Sequence, residues 1–239
     1  MATDQALDEA GHLAFHMRPG RLLAAAVALV AALALLSGGT AAAAASTAPT
    51  VRQIITVTTK SYGSTYATLT AYRWTGRAWV RTLGPWTARI GADGMARPHA
   101  KIEGDDLTPQ GTYGFGFMFG VLPKPSGVTF SWYHAYSYDV WDDDPASARY
   151  NLWTDRRHAW PGRNPEPMHN VPAYDYAAVI AYNTARTPGL GSAIFLHVGT
   201  GSATGGCVSL PASQLLAVLR WLRPADSPRI TMAVGRVAP

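Results

Sequence analysis

The only cysteine of the chain lies in a glycine-rich segment, and this segment constrains the fold and the function most strongly. Cys207 directly follows Gly205 and Gly206, and His197 stands ten residues earlier at the end of an apolar run. A thiolate is the reactive form of cysteine, and histidine has the ordinary pKa closest to neutrality. Glycines adopt backbone angles that a Cβ forbids, so the turn can aim the amides of Gly206 and Cys207 at a reacting carbonyl. The segment predicts an accessible thiol nucleophile with a histidine base across a short glycine hairpin.

The order of these two residues narrows the class of protein. A lone cysteine is often a small buried hydrophobe, but a position after two glycines in a turn favours an accessible thiol. His197 precedes Cys207, and no histidine follows it. Papain-like peptidases have the cysteine first, so their order does not fit. Two families with histidine before cysteine remain, the L,D-transpeptidases and the sortases.

The segment resembles the motif of the L,D-transpeptidase (YkuD-like) catalytic domain, in which a histidine closes a strand and Ser/Thr-x-Gly-Cys follows. Here the second part is Thr204-Gly205-Gly206-Cys207. A sortase is expected to carry Thr-Leu-x-Thr-Cys, which this chain lacks. Thr108-Pro109-Gln110-Gly111 resembles a turn segment of the L,D-transpeptidases, and residues 141–151 resemble a segment of their secreted actinobacterial-type subgroup.

This resemblance implies an exported enzyme that acts on peptidoglycan stem peptides. A thioester would form on Cys207 with release of D-alanine, and an amine would resolve it into a 3→3 cross-link, with hydrolysis as a side activity. The same chemistry would let a carbapenem acylate Cys207, and neither a cofactor nor a metal is implied. The predicted catalytic residues are Cys207, His197 and Gly206. The candidate substrate-binding residues are Thr204, Gly205, Ser209, Tyr182, Tyr133 and His134.

Two alternatives stay open at this point. One is a sortase-like transpeptidase that anchors proteins to the wall. The other is a wall-binding domain of the same fold without catalytic activity. Gly205 stands where the family often has a second histidine, and Ser209 stands where it often has arginine or asparagine. These two departures are the sequence features that favour the non-catalytic alternative.

The N-terminal region predicts export. Two arginines precede an apolar run of fifteen residues, and an alanine-rich stretch with an Ala-x-Ala site follows. This run is shorter than the ~20 residues that span a bilayer, which favours a cleaved signal over an uncleaved anchor. We predict a signal peptide over 1–45 with Met17 as an alternative start, a linker over 46–50 and the catalytic domain over 51–239. The protein is then secreted or in the cell wall, and it contacts the membrane only if the signal stays uncleaved.

Composition supports the same partner class. The net charge is +5 at neutral pH, which suits an anionic surface such as cell-wall polymer. No basic run interleaved with aromatic residues is present, so a nucleic acid partner is not expected. A single cysteine rules out an internal disulfide bond and leaves a free thiol to explain.

Hydrophobic patterning predicts a mainly β fold. Tyr66 to Trp74 alternates, and Arg229 to Val234 is typical of a closing strand. Tyr174 to Asn183 predicts the strand beside the catalytic one, in which Phe195 and His197 share a face. Pro211 suits the start of a helix whose apolar face carries Leu215, Val218, Leu219 and Leu222. We predict one L,D-transpeptidase-like β-sandwich or barrel with a short helix after the cysteine.

The segment over 130–168 is rich in aromatic residues and turns, which predicts a lid or wall of a cleft. Its acidic run, Asp142 to Asp144, is expected to be solvated rather than a calcium site. His134, His158 and His169 lack the spacing of metal ligands, so no metal site is predicted.

Overall fold

The computed structural model describes residues 51–239, so the predicted signal peptide and linker lie outside the described residues. The described part is mainly β, with a curled ten-stranded sheet, two smaller sheets and one short α-helix. The predicted mainly β fold is confirmed. Within residues 51–239, no helix is long and apolar enough to cross a membrane.

The strands are numbered in chain order. The first eight are β1 (Gln53–Thr59), β2 (Tyr66–Trp74), β3 (Trp79–Arg89), β4 (Gly94–Met95), β5 (Leu107–Thr108), β6 (Gly111–Tyr113), β7 (Phe115–Gly120) and β8 (Trp132–His134). The other seven are β9 (Asp139–Asp142), β10 (Leu152–Asp155), β11 (Glu166–Pro167), β12 (Ala177–Ile180), β13 (Phe195–Val198), β14 (Val208–Leu210) and β15 (Arg229–Val234).

The large sheet has the order β6-β15-β1-β2-β3-β14-β13-β12-β7-β8. The smaller sheets are β10-β9-β11 and the pair β4-β5. β2 and β15 have the predicted bounds, whereas the segment from Tyr174 to Asn183 is a strand only over Ala177–Ile180. Asn183 has a positive φ of 46°, which belongs to a turn and not to a strand. As predicted, β12 lies beside β13.

The single α-helix of the described residues, α1 (Ala212–Trp221), begins directly after Pro211. The fixed φ of proline suits a helix start. Four apolar positions were predicted for this helix, and all four are completely buried. Three lie within it, Leu215, Val218 and Leu219, and the fourth, Leu222, is its C-cap. Each such side chain contributes about 1.5–3 kcal/mol by leaving water. Together with the inner face of the sheet they form the first hydrophobic core.

A second hydrophobic core lies on the other face of β13. Ile194 and Leu196 belong to the first core, whereas Phe195 belongs to the second, so the predicted alternation is confirmed. The Phe195 ring meets the edges or faces of neighbouring aromatic rings at centroid distances of 5.0–5.6 Å; these rings are Phe119, Trp141 and Tyr174. The second core therefore fixes the face of the sheet on which the cysteine lies.

Candidate active site

Two neighbouring parallel strands position His197 and Cys207. β13 pairs with β14 in parallel, with His197 opposite Ser209 and Leu196 opposite Val208. The connection is therefore a short crossover and not the predicted hairpin, because a hairpin joins antiparallel strands. Cys207 immediately precedes β14, which places it opposite Phe195 and on the same face as His197. Strand spacing and rise put the Cα atoms of His197 and Cys207 about 8 Å apart. In this structure no hydrogen bond joins the thiol to the imidazole, and both groups bond to backbone instead.

The Cys207 thiol is buried, and the prediction of an accessible thiol is wrong. The side chain is 7% exposed and belongs to the second core. The backbone N–H of Phe195 donates to its sulfur at 3.2 Å, and the thiol donates to the carbonyl of Ala193 at 3.2 Å. The glycine turn leads to the surface, but the side chain that follows it points inward between two strands. Burial strongly raises the pKa of the Cys207 thiol, so the resting group is neutral.

The His197 imidazole is 7% exposed. Its Nδ1 lies 2.8 Å from the carbonyl oxygen of Val198, which can only accept, so Nδ1 carries a hydrogen and Nε2 is the basic nitrogen. Tyr174 packs edge-on against the ring at a centroid distance of 5.5 Å. Burial lowers the pKa of His197, and hydrogen bonds to the backbone of Val198 and Ala173 oppose this change. The neutral form of the ring is therefore favoured.

Two threonine hydroxyls hold the turn before the cysteine. Thr204 Oγ1 donates to the carbonyl of Cys207 at 2.6 Å and accepts the N–H of Gly206 at 3.2 Å. Thr108 Oγ1 accepts the N–H of Gly91 at 2.9 Å and donates to the same Cys207 carbonyl at 3.4 Å. The Thr108-Pro109 turn is thus tied directly to the cysteine. The Gly206 amide, predicted to bind an oxyanion, is occupied by Thr204 in the resting structure.

The two glycines of the turn differ in their need to be glycine. Gly206 has a φ of +126°, and a Cβ there would lie 2.9 Å from the carbonyl oxygen of Leu107. Gly205 has no positive φ, and a Cβ there would meet only Asp106 Oδ1 at 3.6 Å, an ordinary contact. The prediction of a forbidden backbone angle is confirmed for Gly206 and wrong for Gly205.

A cavity of about 390 Å³ opens beside the sulfur. His197, Cys207 and Ser209 line it from the two parallel strands, and Thr204 and Gly205 line it from the turn. The structure thus brings three of the six predicted substrate-binding residues, Thr204, Gly205 and Ser209, to the predicted catalytic pair.

The other three predicted substrate-binding residues lie elsewhere. Tyr182 lines a neighbouring cavity of about 500 Å³, where its ring packs against Tyr113 at 5.4 Å. Tyr133 packs on Phe117 at 4.5 Å, and His134 packs on Tyr136 at 4.4 Å. Neither Tyr133 nor His134 lines a cavity with the cysteine, so the geometry gives them no contact with a substrate there.

The far wall of the cavity is acidic, which the sequence did not indicate. Glu103, Asp143 and Glu166 line it, together with Lys101. Burial is the main cause that raises the pKa of Asp143 to about 6 and the pKa of Glu166 to about 7. The Tyr174 hydroxyl donates a hydrogen bond to Glu166 and opposes the change in its pKa. These carboxylates come from three separate segments, so no local motif could have joined them.

The acidic run from Asp142 to Asp144 was predicted to be solvated, and this is only partly correct. Asp142 is completely buried and accepts hydrogen bonds from Ser147 Oγ at 2.5 Å and from the N–H of Asp144 at 3.2 Å. Asp142 therefore closes a turn, and Asp143 is left pointing into the cavity. With Glu166, this residue makes the segment over 130–168 part of the cavity wall. The aromatic residues on which that prediction was based do not line the cavity, so its part of the wall is acidic and not aromatic.

Among residues 51–239, no group of three or more His, Cys, Asp or Glu side chains is arranged to hold a metal ion. The histidines weighed as metal ligands are dispersed; His158, for example, pairs with Asp155 at 3.0 Å on the surface. The chemistry available at the cavity is that of a thiol, an imidazole, backbone amides and carboxylates.

Comparisons with known proteins find one weak structural similarity for this chain. No protein-family model matches it, and no curated protein matches it. Among solved structures, it is similar to the helical cell shape determining protein Pgp2 from Campylobacter jejuni, with a TM-score of 0.40 and 14% identity. The similarity covers 78% of this chain and 49% of that one, so the chain spans about half the length of that protein. Because this similarity is weak, the function is derived from the site.

Proposed function

We propose that the chain is an exported cysteine L,D-transpeptidase that acts on peptidoglycan stem peptides. The observation that carries the proposal is the placement of a free thiol and a neutral imidazole on one face of two adjacent parallel strands, beside one cavity. The resemblance of the segment from His197 to Cys207 to the family motif agrees with this placement. The positive net charge suits a polymer with anionic groups.

The mechanism begins with a neutral thiol. Because burial disfavours a thiolate at Cys207, proton transfer to His197 Nε2 accompanies attack and does not precede it. The thiol hydrogen must first turn away from the carbonyl of Ala193. The sulfur then bonds to the carbonyl carbon of the residue before the terminal D-alanine, and His197 takes the thiol proton.

The tetrahedral oxyanion is bound by the amides of Gly206 and Cys207. For this, the N–H of Gly206 exchanges the Thr204 hydroxyl for the oxyanion, while Thr204 keeps its shorter bond to the Cys207 carbonyl. Removal of one such donor typically costs about 3 kcal/mol of transition-state stabilisation. His197 returns its proton to the leaving D-alanine nitrogen, and a thioester on Cys207 remains. An amine resolves the thioester into a 3→3 cross-link, and water resolves it into a carboxylate.

A second candidate function is a wall-binding domain without catalysis, and two observations favour it. The buried thiol is hydrogen-bonded to backbone at both ends, as an inert core cysteine can be. Trp160 is 84% exposed in a shallow groove of about 450 Å³ that Arg156 and Arg163 also line. An exposed tryptophan between arginines offers an apolar face and positive charge to a glycan or an anionic wall polymer.

Incubation of residues 46–239 with a stem tetrapeptide, followed by intact mass measurement, separates these candidates. The proposal predicts an adduct of the tetrapeptide less D-alanine, absent in Cys207→Ala. Acylation of the wild-type thiol by a carbapenem is expected in the same assay. Sedimentation with purified peptidoglycan that is lost in Trp160→Ala, with no adduct on the wild type, supports the binding domain instead. An adduct formed only with a protein sorting-signal peptide would support a sortase-like enzyme.

A further inference from the structure

Three carboxylates line the cavity, and the acylation step proposed above uses none of them. Glu103, Asp143 and Glu166 face the same space as Cys207. Burial raises the pKa of Glu166, and the charges of Asp143 and Glu103 raise it further, so the three carboxylates lie close enough to repel one another. A cation among them would relieve this repulsion.

The one ammonium of the protein at this wall does not supply that cation. Lys101 is itself buried, and its Nζ is 2.6 Å from Asp105 Oδ1 and 2.7 Å from the carbonyl of Ile102. Its charge is therefore paired with a carboxylate that does not line the cavity. Two tyrosine hydroxyls also reach these carboxylates, but they carry no charge. Tyr150 donates a hydrogen bond to Glu103, and Tyr174 donates one to Glu166. The wall keeps a net negative charge when its carboxylates are ionised.

A buried hydroxyl independently indicates a ligand. Ser209 is 2% exposed, and its Oγ has no hydrogen-bond partner among the described residues. It lines the cavity from the same face of the sheet as His197, its neighbour across the strand pair. A buried hydroxyl without a partner is uncommon in folded proteins, and a ligand N–H in the cavity would satisfy it.

We propose that Glu103, Asp143 and Glu166, with Ser209, form the recognition site for a primary ammonium group on the acceptor, and that Glu166 accepts the proton which this group must lose. The inference rests on the proposed function and names the residues that would bind and deprotonate its amine acceptor. Glu166 is assigned as the base because it is buried and its pKa is raised to about 7, nearer to neutrality than the pKa of about 6 of Asp143.

Aminolysis of the thioester begins at the ammonium group of the acceptor. Glu166 takes one proton from the ammonium, which leaves a neutral amine with a free electron pair. The amine nitrogen bonds to the thioester carbonyl carbon, and the carbon–sulfur bond breaks. The second proton of the nitrogen passes to His197 and from there to the sulfur of Cys207. The products are an amide, the neutral thiol and one proton on Glu166, which returns to solvent.

Binding is tested first, on the Cys207→Ser protein, so that no turnover is needed. Nα-acetyl-lysine amide is the probe, and its Nε-acetylated form, which has no charge, is the matched ligand. Titration followed by NMR is expected to show saturable binding of the ammonium probe only, strengthening as the pH rises from 5 to 8 and the carboxylates ionise. In the same background, Asp143→Asn and Glu166→Gln are each expected to weaken this binding at least tenfold. Asp93→Asn, which removes an exposed carboxylate outside the cavity, is the control.

The second test measures how the thioester divides between aminolysis and hydrolysis, in the protein that keeps Cys207. Glu166→Gln is expected to lower the ratio of aminolysis to hydrolysis at least tenfold, with a far smaller fall in acylation. Asp143→Glu is expected to restore amine binding that Asp143→Asn has lost. Equal binding of the two probes, or unchanged binding and partition in both carboxylate variants, overturns the inference. If no thioester forms at all, the proposed function fails, and the probe titration still decides whether the ammonium site exists.

Discussion

Substitution of the glycine before the cysteine gives a prediction whose size follows from the structure. Gly206→Ala forces a side chain into a φ of +126°, a region that costs about 1–3 kcal/mol for a residue with a Cβ. The new Cβ would also lie 2.9 Å from the Leu107 carbonyl oxygen and 3.3 Å from Ile194 Cδ1. Ile194 is buried and the Leu107 oxygen belongs to the backbone, so the strain is not relieved cheaply.

We expect Gly206→Ala to lower the free energy of unfolding by about 3 kcal/mol, with strained backbone as the main cause. For a chain of this size that corresponds to a fall in Tm of roughly 6–12 °C. Thermal unfolding followed by circular dichroism measures it. Gly205→Ala is the matched control, because its Cβ meets only Asp106 Oδ1 at 3.6 Å. Equal melting temperatures for the two variants would refute the assigned turn geometry.

Three further predictions concern the thiol, the base and the acidic wall. His197→Ala should lower the acylation rate about 10²–10⁴-fold in single-turnover mass measurements, and a change below twofold would remove it as the base. Alkylation of Cys207 by iodoacetamide should accelerate only above the ordinary thiol pKa of 9.0, whereas rapid alkylation at pH 6 would contradict a neutral resting thiol. Glu166 holds its proton more tightly in the folded chain, so the free energy of unfolding should fall as the pH rises from 4.5 to about 7. Urea titrations at several pH values measure this free energy. Its fall with pH should be smaller for Glu166→Gln than for the wild type, and an equal fall would contradict the raised pKa.

The local part of the fold was accessible from the sequence. The alternation of Tyr66–Trp74 predicted the bounds of one strand, because period-two patterning is typical of a strand. The closing strand over Arg229–Val234 was also predicted with its observed bounds. The helix after Pro211 was predicted for the same reason, from apolar residues at helical spacing. The direction of β14 was predicted wrongly, because a short glycine-rich loop favours a hairpin and parallel strands normally need a longer crossover.

The candidate site was predicted in part. Cys207 and His197 were proposed as a catalytic pair from residue type and order, and the strand pair places them on one face. Burial of the thiol was missed, because a turn in the sequence says where the backbone goes and not where the next side chain points. Glu103, Asp143 and Glu166 were missed because contacts between distant segments bring them together, and one of them had been assigned to a solvated run.

The buried thiol changes the expected kinetic behaviour of the proposed enzyme. A preformed thiolate–imidazolium pair would react with any accessible electrophile, whereas a neutral thiol under the cavity reacts only when a substrate carbonyl fills the space beside it. Generic alkylating agents should therefore react slowly at neutral pH, while a well-fitting acyl donor reacts fast. Selectivity for the substrate would then come from burial itself.

The location of the acyl group tests the central claim most directly. After reaction with a stem tetrapeptide, proteolytic mapping by mass spectrometry should find the tripeptide acyl group on the peptide that contains Cys207. Hydroxylamine at neutral pH should release it, as expected for a thioester. Cleavage of D-alanine that continues in Cys207→Ala, or an acyl group mapped to any other residue, would contradict the claim that this buried sulfur is the nucleophile.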